Sequence, residues 1–392
     1  MKPWHFLLLA LVAGGCNAGS ERPGPAAQVS TVPIASCRAC HAAIVDRYLG
    51  TAHANTSAPG TAASIKGSFA PGHNTLKTGR PNLSFRMDQR DQSFYQTAVD
   101  AEQTLSRTER IDLVIGSGRK GQSYLFWKQQ ILVQLPVSYL TGLDQWINSP
   151  GYQDGSVDFT RVIPPRCLEC HSTSFGLERD AGGALRYAAQ YTLGITCEKC
   201  HGSATKHVEY QASHPDDKTP NFILNPVKFS RDRQLDNCAL CHSGPRRLRL
   251  PPFSYRPGEP LDSFLVAQTG NENPNPDVHG DQIGLLRRTK CFRSSPAMTC
   301  STCHNVHTEE RDLVAMAQKC VSCHQPAQHP NQASIGARML TQCVNCHMPD
   351  QPSSALTINT PKGHFAPAYR SHAIAIYPAV AAAILRRPSR AK

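Results

Sequence analysis

The chain has 392 residues, a length that ordinarily makes two or three domains with apolar cores. Hydrophobic residues make up 40% of it, while 30 prolines and 27 glycines favour a loop-rich chain. A formal charge of +12 is typical of proteins that bind nucleic acid or anionic membranes, unless it offsets acidic groups bound to the chain. Of the sixteen cysteines, fourteen fall in one repeated motif, which excludes a framework of structural disulfides.

The first 36 residues predict an export signal and a tether. In residues 1–16, Lys2 precedes an apolar run over 6–13 that is too short to span a bilayer as a mature helix. The run ends in Ala-Gly-Gly-Cys16, which resembles a bacterial lipobox, so Cys16 is predicted to become the lipidated N-terminus. The alternative is an ordinary signal peptide in which Cys16 is incidental. Residues 17–36, rich in Ala, Gly, Ser and Pro, predict a flexible tether.

Seven copies of Cys-x-x-Cys-His follow. They are Cys37/Cys40/His41, Cys167/Cys170/His171, Cys197/Cys200/His201, Cys238/Cys241/His242, Cys300/Cys303/His304, Cys320/Cys323/His324 and Cys343/Cys346/His347. Two thiols three positions apart add to the two vinyl groups of one porphyrin, and the adjacent His becomes the proximal iron ligand. Zinc sites and thioredoxin-like pairs also use Cys-x-x-Cys, but neither calls for a His directly after it. The motifs therefore predict seven covalently bound haem c groups.

The motifs divide the rest of the chain. Residues 37–81 form a first haem segment. Residues 82–152 contain no Cys or His. Their apolar runs and turn residues predict a small β-rich insert of four to six strands. Residues 153–350 form a hexahaem domain whose motifs begin 20 to 62 residues apart, too close for a separate core around each haem. Residues 351–392 supply further histidines and a terminal helix. The predicted fold is mainly α with extensive irregular loops and stacked haems as its core.

The predicted haems change how the positive net charge of the chain is interpreted. Each haem carries two propionates, so seven contribute about 14 negative charges against the +12 of the chain. The basic composition therefore says little about partners, and nucleic-acid binding is not expected.

Histidines outside the motifs decide what each iron does. A second axial His gives a low-spin electron carrier, whereas an open position admits a substrate. The predicted distal ligands are His53, His73, His207, His279, His307, His364 and His372. His207 and His307 follow their own motifs so closely that each is expected to serve a neighbouring haem. His214 and His329 each precede a proline in a polar loop and are left without a ligand role, and Cys291 is left as a thiol without a disulfide partner.

Two stretches resemble a known superfamily. They are Cys197-Glu-Lys-Cys200-His with His207 shortly after it, and Cys300-Ser-Thr-Cys303-His-Asn-Val-His307. Both resemble the multihaem cytochrome c superfamily that includes the tetrahaem cytochrome of hydroxylamine oxidation, hydroxylamine oxidoreductase and pentahaem nitrite reductase. In that group a His shortly after such a motif ligates an adjacent haem, the role that the resemblance implies for His207. The catalytic Cys-x-x-Cys-Lys site of the nitrite reductases is absent from this sequence.

These observations predict an exported heptahaem c-type cytochrome that transfers electrons along closely packed, six-coordinate haems and has no catalytic residue. It is expected to be a lipoprotein of the periplasm, outer membrane or cell surface, with redox proteins as donor and acceptor and self-association left open. Two alternatives stay open. One is an oxidoreductase acting on a small nitrogen or sulfur compound at one open haem, and the other is a subunit of a haem filament.

Overall fold

The computed structural model describes residues 32–100, 106–244, 246–266, 280–353, 357–360 and 363–386. The predicted signal segment with Cys16, the tether as far as residue 31, and His279 lie outside these ranges. The structure is 31% helix and 25% strand.

The first ten strands lie before the second motif. They are β1 (Ser57–Pro59), β2 (Thr75–Lys77), β3 (Leu83–Arg90), β4 (Ser93–Asp100), β5 (Ser106–Arg110), β6 (Leu113–Ile115), β7 (Gly121–Lys128), β8 (Ile131–Gln134), β9 (Val137–Leu140) and β10 (Gln145–Asn148). One sheet has the order β1-β6-β7-β9-β10 with β8 also paired to β7, and a second has the order β2-β3-β4-β5. The strand pairs within both sheets are antiparallel.

The two sheets share one apolar core. Phe85 and Phe94 from the second sheet pack in the same buried cluster as Tyr124 and Trp146 from the first. The amide of Gln96 on β4 crosses between them, donating to Val137 O at 2.8 Å and accepting from Val137 N–H at 3.1 Å. Because both polar groups of this fully buried side chain are satisfied, it joins the sheets without a desolvation penalty.

The remaining strands form three short pairs. They are β11 (Ser172–Arg179) with β12 (Leu185–Leu193), β13 (Asp350–Pro352) with β16 (Ala368–Arg370), and β14 (Ile358–Thr360) with β15 (Gly363–Phe365). The β14–β15 pair packs through Ile358 and Phe365 against Leu140 and Ile147 of the large sheet. The C-terminal segment is thereby fixed to the β-rich part of the chain.

Several of the Cys-x-x-Cys-His motifs lie on α-helices, of which the described residues form eleven. They are α1 (Ile34–Leu49), α2 (Pro165–His171), α3 (Glu198–His201), α4 (Thr205–Ser213), α5 (Arg231–His242), α6 (Gln282–Arg287), α7 (Lys290–Ser294), α8 (Leu313–Val321), α9 (Gln332–Ile335), α10 (Cys343–His347) and α11 (Pro378–Arg386). Among the described residues, no helix is both long and apolar enough to cross a membrane.

The prediction of a mainly α protein with a small β-rich insert is wrong in its proportions. Residues 82–152 contain eight strands, β3 to β10, instead of the four to six predicted, and β structure already begins at Ser57 and returns after the second motif. The extra strands escape the sequence pattern because β1 and β2 have three residues each, too few for an alternation to register. The β11–β12 hairpin contains register shifts, which interrupt its period of two.

Candidate haem sites

All seven motifs line one cavity. It has a volume of about 3870 Å³, and both cysteines and the histidine of every motif contribute to its wall. Divided by seven, this volume is about 550 Å³ per motif, within the range of roughly 300–1,000 Å³ typical of cofactor pockets. The residues present therefore fit the haem groups that the motifs imply.

Local helical structure explains how each motif faces this cavity. Positions i, i+3 and i+4 lie on one face of a helix, so the two thiols and the imidazole of a Cys-x-x-Cys-His sequence point the same way. Helices α2, α3, α5 and α10 all end at the histidine of their motif. The fifth motif begins with a 3-10 turn over Cys300–Thr302, which serves the same purpose.

Five motif histidines face a second histidine across the cavity. The pairs and their ring-centroid separations are His41–His207 at 6.5 Å, His242–His53 at 6.1 Å, His201–His307 at 6.1 Å, His304–His372 at 6.0 Å and His347–His329 at 6.3 Å. Each pair joins one proximal histidine to one histidine from another part of the chain.

This separation is the one that a metal between two imidazoles imposes. A first-row metal lies about 2 Å from an imidazole nitrogen, which itself lies about 1.1 Å from the ring centroid, giving a centroid separation of about 6.2 Å. The five observed values, from 6.0 to 6.5 Å, bracket that distance. Direct ring stacking would bring the centroids closer, as for Tyr210 and His214 at 4.2 Å.

Carbonyl groups orient four of the paired rings. The acceptors of their Nδ1–H groups are Asn221 O for His207 at 2.8 Å, Leu224 O for His201 at 2.9 Å, Ala375 O for His347 at 2.9 Å and Gln282 Oε1 for His372 at 2.6 Å. A carbonyl only accepts, so each contact places the ring proton on Nδ1 and leaves the lone pair of Nε2 for a metal.

One paired ring has a carboxylate beside it. Glu310 Oε2 lies 3.6 Å from Nδ1 of His304 and accepts the backbone N–H of Asn305 at 2.9 Å. The first distance is longer than a hydrogen bond, so Glu310 acts on the ring through its charge. A carboxylate behind a ligating imidazole increases the basicity of that ligand.

The His329 ring meets the opposite kind of group. The backbone N–H of Asn331 points at its Nδ1 from 3.2 Å. A donor facing Nδ1 favours the tautomer with the proton on Nε2, which removes the lone pair that a metal at Nε2 needs.

Burial keeps several of these rings neutral. Desolvation lowers the pKa of His242 to about 4 and that of His372 to about 4. It also lowers the pKa of His53 and of His307. The neutral imidazole is the form that ligates a metal, so these side chains are ready for coordination at neutral pH.

The structure places the predicted distal histidines in two groups. His53, His207, His307 and His372 line the cavity opposite a motif histidine, while His73 and His364 are exposed and do not line it. His214, which was given no ligand role, stacks on Tyr210 at the end of α4. His329 was also given none, yet it faces His347; the sequence carries no local indication of this, because the pairing depends on the tertiary fold.

The remaining two motif histidines, His171 and His324, also line the cavity. Nδ1 of His171 lies 2.9 Å from the Thr56 hydroxyl. His324 lines the cavity directly after α8.

Cysteines from different motifs meet inside the cavity wall. Thiol contacts join Cys170 to Cys241, Cys238 to Cys300, and Cys37 to Cys197. The second motif therefore lies against the fourth, the fourth against the fifth, and the first against the third. Two of these three contacts join motifs that are not consecutive in the sequence, and the contact between the fourth and fifth motifs joins consecutive ones.

Cys291, the thiol outside the motifs, also lines this cavity. It is half-buried and lies 3.3 Å from the Thr289 hydroxyl.

Comparisons with known proteins agree with these motifs. The family model for cytochrome c554 and c-prime matches residues 151–202, which contain the second and third motifs. The model for the doubled CXXCH motif matches residues 313–352, which contain the sixth and seventh. The matches support a multihaem cytochrome c. They also support haem c attachment at the CXXCH motifs and electron transfer in general, and they do not favour the oxidoreductase alternative.

The comparison with solved structures adds a distant likeness. An undecahaem cytochrome from the S-layer of Carboxydothermus ferrireducens has 14% sequence identity and a TM-score of 0.43. The likeness covers 89% of this chain and 52% of that one, so this chain spans about half the length of that protein. A TM-score this low does not establish a shared fold. The comparison with curated proteins finds no match.

Proposed function

We propose that the protein is a seven-haem electron-transfer cytochrome in which most irons are held between two histidines. The fourteen motif cysteines would hold the porphyrins, and the seven motif histidines would be the proximal ligands. When bound, haem c supplies a reversible one-electron centre. The observation that carries the proposal is the set of five histidine pairs with centroids 6.0 to 6.5 Å apart.

The distal ligands in this proposal differ from those expected from sequence. His53, His207, His307 and His372 keep the role, His329 is added, and the exposed His73 and His364 lose it. His279, which lies outside the described residues, stays an expectation.

The chain itself would do three things for electron transfer. Carbonyl acceptors fix the ring of His207 and that of His372, so the same ligand geometry serves both oxidation states. Because the buried imidazoles are desolvated and neutral, protons compete little with the metal for their nitrogen lone pairs. Contact between cysteines of different motifs would bring neighbouring cofactors close together, which short electron hops need.

We also propose export and lipid anchoring, which rest on the sequence of residues 1–16 and on Cys16. Covalent haem attachment outside the cytoplasm is consistent with that route. The anchored protein would exchange electrons with donor and acceptor redox proteins at the membrane surface.

Removing the carboxylate charge of Glu310 is expected to raise one reduction potential. In Glu310→Gln the imidazole of His304 becomes less basic and stabilises the oxidised state less. We expect a shift on the order of 59 mV, a tenfold change in a one-electron equilibrium, at one of the haems in a spectroelectrochemical titration.

Glu309→Gln is the matched control. Glu309 pairs with Arg119 and Arg311 instead of with a motif histidine. Equal shifts of the reduction potential in the two variants would mean that the overall charge of the protein causes the effect. They would count against a specific role for Glu310.

A further inference from the structure

We infer that the distal position opposite His347 is an exchangeable site, where a small neutral ligand such as carbon monoxide displaces His329. The inference rests on the proposed seven-haem assignment and goes beyond it. It concerns how firmly one distal histidine is held, and it assigns a ligand-binding site to the last motif.

The first argument concerns the hydrogen bond made by Nδ1 of His329. The ring of His347 and that of His372 each give their Nδ1–H to a carbonyl oxygen, so coordination through Nε2 leaves every polar group satisfied. At His329 the backbone N–H of Asn331 already points at Nδ1 from 3.2 Å. Coordination through Nε2 would put a proton on Nδ1, so two hydrogens would face each other and the Asn331 hydrogen bond would be lost.

The second argument is independent and comes from packing. His329 follows a 3-10 turn over Pro326–Gln328, and residues 331–334, which come next and do not line the cavity, are all exposed. By contrast, His372 directly follows Ser371, which is completely buried, and His207 lies within α4. A loop without buried side chains gives way at little cost in free energy, so His329 can leave while the fold stays intact.

The choice of probe follows from the proposed ligand exchange. A small neutral molecule that binds ferrous haem reports an exchangeable distal position without adding a charge to the cavity. Carbon monoxide is therefore the appropriate probe.

The test is a carbon monoxide titration of the reduced holoprotein, followed in the visible spectrum. We expect His329→Ala to bind the same number of carbon monoxide molecules per chain as the wild type, with one association phase at least tenfold faster because no side chain has to leave. His372→Ala serves as the comparison and should bind one more than the wild type, since it removes a firmly held ligand.

Two results would overturn the inference. If His329→Ala binds one carbon monoxide more than the wild type, His329 is a firm ligand. If the two proteins bind equal amounts at equal rates, the exchangeable site lies at another haem. Failure of the proposed function is distinguishable, because it would appear as fewer than seven irons per chain or as no new site in His372→Ala.

Discussion

His372→Ala is expected to convert about one haem in seven from low-spin to high-spin. The His372 ring faces His304 at 6.0 Å, and Gln282 holds it through a 2.6 Å hydrogen bond. Removal of the imidazole would open the sixth position of the haem that His304 holds to water, and a water ligand gives high-spin iron. Electron paramagnetic resonance of the oxidised protein should show a new high-spin signal of that size.

His364→Ala is the matched control, because both histidines lie in the C-terminal segment and both were predicted ligands from sequence. His364 lies on β15, is exposed and does not line the cavity, so this variant should keep the wild-type spectrum. A high-spin signal in His364→Ala with none in His372→Ala would reverse the assignment.

Phe85→Ala is expected to destabilise the protein by about 3–5 kcal/mol. The Phe85 side chain is fully buried in the core shared by the two large sheets, so truncation leaves a cavity there. The sheet on the other side of this core supplies Leu125 and Tyr139 to the wall of the cavity. Guanidinium unfolding of the holoprotein, followed by tryptophan fluorescence, measures the change.

Phe222→Ala provides the comparison for the same substitution at the surface. The Phe222 side chain is 60% exposed, so its loss should change stability by no more than about 0.5 kcal/mol. Similar effects of the two substitutions would show that the core between the sheets does not limit stability.

The covalent part of the site was predictable because its chemistry is local. Two cysteines and a histidine within five residues define each attachment point, and one helical turn brings them onto one face without help from the rest of the fold. The structure accordingly places all seven motifs around one cavity.

The distal ligands were predictable only where sequence spacing restricts the answer. His207 lies too close to His201 to serve the same iron easily, which led to the expectation of a neighbouring site, and the structure places it opposite His41. For His364 and His372, eight residues apart, spacing says nothing about orientation. The pairing of β14 with β15 places His364 opposite Asn359 and away from the cavity.

The β-rich part was predicted in place and underestimated in extent. Strands such as β3 and β4 have eight residues each, and β3 in particular alternates between buried and less buried side chains, which a sequence pattern captures. β1 has only Ser57, Ala58 and Pro59, and it exists because Leu113–Ile115 pairs with it from a distance in sequence. Such strands follow from the fold and leave no pattern of their own.

The most direct test of the account is the iron and covalent haem content of the fully matured protein. Metal analysis together with the mass of the intact chain should give seven irons and seven attached porphyrins, one for each Cys-x-x-Cys-His motif. A correctly processed sample with markedly fewer than seven would contradict the claim that these motifs build the interior of the molecule.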